Sequence, residues 1–314
     1  MSTQSNSVNE LQVATHVAEQ SAISPGRRYY WSVRRELWEN RGVFLAPAAV
    51  AVFVILGVIL GAAAHGTFQF GTVVTANGVE QHNVNVNGGV YTVSLFAIMG
   101  VSFLAAVFYC LGTLHGERQD RSILFWKSLP VSDLTTVLAK ITIPVVVLPA
   151  VTMALIVATD IVILLIQAVT QMATGQSAAA GLGEMNMAQA WLMALYHLVT
   201  IHALWYAPIY GYAMVVSAWA KRAPLLWAVV PPIIAGIVEK IAFGTSNVFS
   251  LLRERLSGSS AEDMVSSRGG VALGVMPHLT PLHFLANPEL WLGLVFAAIC
   301  VAAAIRLRRL GGLI

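Results

Sequence analysis

Long stretches nearly free of charge alternate along the chain with short stretches crowded with it. Apolar runs occupy 44–64, 91–114, 138–169, 188–220, 224–238 and 290–305, the third interrupted by Asp160. A hydrocarbon core of roughly 30 Å takes about 20 residues of helix. The pattern therefore predicts an all-α integral membrane protein with six transmembrane helices in residues 43–314. Ahead of the first run, residues 27–42 read RRYYWSVRRELWENRG. This places Tyr30, Val33 and Leu37 on one face and sets Trp31 and Trp38 seven apart with charges between, which predicts an amphipathic helix lying in the membrane interface. Residues 1–26 are polar, hold no Lys or Arg and offer no apolar stretch for a cleavable signal, so a disordered cytoplasmic tail is expected. Between the first two spans, an Asn77-Gly78 turn and Val/Asn alternation at Val84 and Val86 predict a small β-hairpin.

Composition agrees: 57% of residues are hydrophobic and 11% charged, too little polar surface for a soluble globule of 314 residues. The formal net charge of +3 matters through its distribution and not as a sign of nucleic-acid binding. Fourteen of the 18 Lys and Arg fall before the first span, after the second, after the fourth and after the sixth, while 65–90 and 170–187 have none. The positive-inside rule then places both termini in the cytoplasm of a multi-pass protein of the cell membrane. The segment 239–288 should lie outside, yet it carries Lys240, Arg253, Arg255 and Arg268. Its apolar part from Val271, broken by Pro277, Pro281 and Pro288, fits a re-entrant or interfacial segment that returns to the outer face. Cys110 and Cys300 lie inside apolar runs, away from any metal-binding spacing, and read as reduced packing residues.

The segment 116–133, GERQDRSILFWKSLPVSD, sets six charged residues between two long apolar runs. Glu117 and Arg121 are four apart and can pair on one helical face, with Ile123, Phe125, Trp126 and Leu129 forming an apolar face beyond them. Pro130 ends that helix, Ser132 is placed to cap the next, and Asp133 falls in its first turn, where the helix dipole favours an acid. Two readings are open on physical grounds. Basic residues with Phe125 and Trp126 could anchor the loop among lipid headgroups, or exposed aromatics framed by charge could dock a protein.

Gly-Glu-Arg at 116–118, an apolar helix, Ser-Leu-Pro-Val-Ser at 128–132 and Lys140 near the start of the third span resemble the corresponding region of type-2 ATP-binding-cassette (ABC) exporter permeases. The likeness extends to the six spans, the basic amphipathic helix before the first and the long outer segment before the last. The Asn-rich loop after the first span departs from the family pattern. In that family the segment is a coupling helix seated in a groove of the ATPase subunit. The resemblance thus implies that Glu117, Arg118, Asp120, Arg121, Phe125, Trp126, Lys127 and Pro130 meet a partner ATPase. It implies two copies of the permease with two ATPase chains, and ATP and Mg bound in the partner. No P-loop is present here: the four lysines follow Trp126, Ala139, Ala220 and Glu239, never glycine. The chain is expected to be a transport subunit and not itself an enzyme, with no cofactor or metal of its own.

Several polar groups fall within the spans. Asp160 carries a cost of roughly 2.5–3.5 kcal/mol at mid-helix and should face the bundle interior or water. His202, Tyr206 and Tyr210 share one face of the fourth span at i, i+4 and i+8 and, with Asp160, are candidates for a substrate path; helix packing with satisfied polar tips is the alternative. Gly57 and Gly61 form a GxxxG that could serve a dimer contact. Prolines at 208, 224, 231 and 232 predict kinks. Competing classes are an ion-coupled transporter using Asp160 and an intramembrane enzyme using Asp160 with His197 or His202. No inverted repeat supports the first, and no recognised nucleophile or metal arrangement supports the second.

Overall fold

The computed structural model describes residues 24–65, 86–119, 132–173, 175, 187–257 and 281–310, and among them all regular structure is helical. The helices are α1 (Pro25–Glu39), α2 (Gly42–His65), α3 (Val86–Gln119), α4 (Asp133–Ala173), α5 (Met187–Trp205), α6 (Ala207–Trp219), α7 (Pro224–Phe243), α8 (Asn247–Ser257), α9 (Pro281–Ala286) and α10 (Pro288–Leu310). Six of them, α2, α3, α4, α5, α7 and α10, are long and apolar enough to cross a membrane. The fourth apolar run continues past α5 through α6 to Trp219.

Three local features differ from the sequence pattern. Ser24 accepts a hydrogen bond from the Arg27 N–H and Pro25 occupies the first helical position, so α1 starts two residues earlier than the charge pattern suggests. The rotation of α1 also differs. Tyr30 is 59% exposed, and the buried face is Ser32, Val33, Glu36 and Leu37, turned inward because Glu36 meets charges on other helices. At the start of the second span, Val86 is helical and not part of a strand. The long apolar run carries its hydrogen-bond ladder outward through Gly89 to that residue, and the rest of the expected hairpin, 66–85, lies outside the described residues.

Prolines act through widened turns. Pro144 supplies no N–H to the Lys140 carbonyl, and α4 passes it through a π-helical turn, Ile143–Val147, in which the Leu148 N–H reaches back to Ile143. Ahead of Pro208, α5 ends in a second π-helical stretch, Leu198–Trp205, and the Tyr206 N–H donates to Ile201. Pro231 and Pro232 leave α7 continuous, and the Trp227 carbonyl that Pro231 orphans accepts from the Tyr212 hydroxyl at 3.3 Å.

The largest core cluster joins α3, the start of α4, α6 and α10 through Tyr109, Cys110, Val137, Tyr210, Met214 and Ala304. Gly211 lets α6 and α10 approach: a Cβ there would stand 3.2 Å from the Ala297 backbone and from Cys300. Both cysteines are free thiols within this packing. Smaller clusters around Ile98 and Ile156, and around Tyr91 and Ile163, hold α2, α3 and α4 together further along. After α7, Gly244 takes a left-handed conformation, and Glu239 accepts from the Asn247 and Val248 N–H groups at 2.9 and 2.8 Å, capping α8. Gly236 faces the Phe249 ring, so α8 folds back along α7. Arg255 of α8 lies 4.1 Å over the Trp205 ring and donates to the carbonyls of Trp205 and Glu289. Residues 258–280, which include most of the stretch expected to enter the membrane, lie outside the described residues.

Candidate functional site: a buried ionic cluster at the roots of segment 116–133

Lys140 is the centre of the site. It sits two turns into α4, is only 2% exposed, and its ammonium has three protons to place. The ammonium donates to Glu36 Oε1 and to Thr113 Oγ1, each at 2.8 Å, and forms an ion pair with Glu117 Oε1 at 3.0 Å. Glu36, 1% exposed, also accepts from Arg35 at 3.0 Å and from the Tyr109 hydroxyl at 3.1 Å. Burial pushes the Glu36 carboxyl up, but the Lys140 ammonium and Arg35 outweigh it and hold the group below the usual carboxylate range. The Tyr29 hydroxyl bonds Thr142, fastening α1 to α4 a second time.

Arg308, near the end of α10, completes the cluster. Its Nη1 donates to Glu117 Oε2 at 2.5 Å and its Nε to Asp133 Oδ1 at 3.0 Å. One guanidinium thus holds both roots of the charged segment, because Glu117 closes the helix before it and Asp133 opens the helix after it. At the second root, Ser132 caps α4 by accepting from the Thr135 N–H at 3.1 Å. Three acids, Glu36, Glu117 and Asp133, are balanced by Arg35, Lys140 and Arg308. Buried charge of this kind is tolerated only when paired and hydrogen-bonded. Four helices, α1, α3, α4 and α10, are fixed together as a result.

Beside the cluster, Arg118 reaches the other way. It donates to the carbonyls of Ser217 and Ala220 at 2.7 and 2.8 Å, satisfying acceptors that the end of α6 leaves open. The Ser217 hydroxyl accepts from the Leu114 and His115 N–H groups at 3.1 and 2.9 Å. The α6 terminus is thereby tied to the same end of the bundle.

Of the residues expected to meet a partner, Glu117 and Arg118 face inward in these contacts, whereas Asp120, Arg121, Phe125, Trp126, Lys127 and Pro130 lie outside the described residues. Asp160 is buried and accepts from the Trp191 indole N–H at 3.0 Å and the Ser94 hydroxyl at 3.5 Å. His202 bonds the Met99 carbonyl at 3.2 Å and stands edge-on to Tyr206, which packs with Tyr210 around Phe103. Asp160 and His202 therefore engage different turns of α3 and do not form one constellation. Gly57 faces open space within the chain. Among the described residues no three His, Cys, Asp or Glu side chains come together in a way that could hold a metal.

Sequence reasoning missed the pairing of Glu36 with Lys140 and the role of Arg308. A signal existed in Lys140, a cation two turns into an otherwise apolar run, which requires a buried acid somewhere. No protein-family model, curated protein or solved structure matches the chain.

Proposed function

We propose that this chain is the membrane subunit of an ATP-driven ABC exporter, crossing the cell membrane with both termini in the cytoplasm and working as two copies with two ATPase chains. The observation that carries the proposal is the Arg308 bridge between Glu117 and Asp133, joined through Glu117 to Lys140 and Glu36. A loop that only anchors in lipid headgroups has no need of rigid roots. A segment that receives force does, since displacement of 116–133 is then passed as one unit to α1, α3, α4 and α10. In this mechanism the partner ATPases bind ATP and Mg, close on each other, and push through Phe125 and Trp126 of the segment. The spans rearrange in response and carry cargo across.

Replacing both aromatics, Phe125→Ala with Trp126→Ala, is expected to abolish association with the ATPase while the chain remains in the membrane. Affinity purification of wild type and variant from the same membranes measures this. Undiminished co-purification of the ATPase overturns the proposal.

A further inference from the structure

Beside the ionic cluster, between the end of α3 and the turn from α6 to α7, lies a recess of about 450 Å³. His115, Arg118, Lys221 and Arg222 line it, and among the described residues no acidic side chain does. Glu117 is the neighbour that could neutralise it, but its carboxylate is held by Lys140 and Arg308. Arg118 is a fixed wall, since one of its terminal nitrogens is bound to two carbonyls while its buried Nε has no partner. Lys221 and Arg222 are exposed at the rim. A concave site with three cationic side chains, and no carboxylate among the described residues, selects an anion.

The surroundings narrow the kind of anion. Trp219 directly precedes the recess-lining Ala220, and Trp227 follows Ala223 by one turn; their rings meet edge to face at 4.9 Å and both are exposed. Beyond them α7 presents Leu226, Val230, Ile233 and Ile237 outward at helical spacing. Only 6% of the apolar stretch of α7 is buried, against 17% or more in each of the other five spans. Cations at the end of α3 and in the turn from α6 to α7, then the Trp219–Trp227 pair, then the open apolar face of α7 follow one another away from the recess. That is the order of phosphate, ester region and acyl chain in a phospholipid, and Trp belongs at the middle level. A soluble phosphate or an acidic protein segment would use the recess and leave the tryptophans and the apolar face without a role.

We propose that this recess binds the phosphate headgroup of an anionic phospholipid from the adjacent leaflet, with its acyl chains lying along α7. Lys221 and Arg222 supply the headgroup contacts that can be removed without touching the packing. The assignment stands on the recess and α7 alone and does not require the transport reading.

The test uses the full chain in nanodiscs of phosphatidylcholine containing a minor share of phosphatidylglycerol, with retained lipids counted by native mass spectrometry. Wild type is expected to retain phosphatidylglycerol preferentially. The Lys221→Gln/Arg222→Gln variant should lose that preference about thirtyfold, as expected for two surface cations. Trp227→Ala should weaken it at unchanged charge, and Arg27→Gln/Arg306→Gln, with the same charge change elsewhere, should keep it. Equal retention by wild type and the Lys221/Arg222 variant overturns the proposal, as does equal loss in the two charge variants. Loss of ATPase association with unchanged phosphatidylglycerol retention also overturns it, and assigns the recess to a protein partner.

Discussion

Lys140 shows how a single residue can commit several helices. Its ammonium donates to Glu36 and Thr113 and pairs with Glu117, so it holds carboxylates from two different helices. Lys140→Met would leave the three acids of the cluster facing only Arg35 and Arg308, one negative charge in excess, a loss of about 3–5 kcal/mol for breaking a buried pair. Reversible unfolding in detergent should show that loss, and adding Glu36→Gln should recover part of it by removing the excess charge. Glu36 also gives a pH signature. Its carboxyl is held below the unfolded value, which is about 4.3 for Glu. Its stabilisation is therefore complete above that value and disappears as pH falls through the lower, folded one. Burial pushes neighbouring Glu39 the other way, so its ionisation subtracts from stability. Comparing Glu36→Gln with wild type isolates the Glu36 share. The variant should melt lower at neutral pH and lose less on acidification, whereas parallel curves would remove Glu36 from the account.

At the scale of elements, helix contacts are set by where a side chain has no room. Gly211 lies against the α10 backbone, which cannot yield as a side chain can, while Gly100 on α3 faces open space. Gly211→Leu should separate α6 from α10 and cost about 1–3 kcal/mol by overpacking. Gly100→Leu should be neutral or slightly stabilising by helix propensity, and thermal melts of the two variants measure the contrast. The spans themselves were legible in the sequence because every charge in hydrocarbon is expensive, and Ser132 was legible as a cap because its chemistry is local. The rotation of α1 was not. Spacing put Tyr30 with Val33 and Leu37, but Glu36 turns the helix toward Lys140, a partner 104 residues away, and no periodicity encodes such a pairing. Of the prolines expected to kink, Pro208 follows a π-helical stretch, and a second π-helical turn forms at Pro144, which was not among them. That choice depends on neighbouring helices that a single segment does not reveal.

At the scale of the whole molecule, one end of the bundle is fastened and the fifth membrane helix is loose. Charges and hydrogen bonds gather α1 and the ends of α3, α4, α6 and α10. Few side chains of α7 are buried. A fastened end suits a part that transmits force, and an open helix suits a part that moves in, or is steadied by, lipid. The first role rests on the central claim that force reaches this chain from a separate nucleotide-driven partner. The most direct measurement is to purify the wild-type chain in mild detergent, identify the co-eluting proteins and reconstitute the assembly for transport. The account predicts a co-eluting ATPase with a P-loop and transport that stops when ATP is withheld. Transport by the chain alone, driven by an ion gradient without any ATPase, would contradict it.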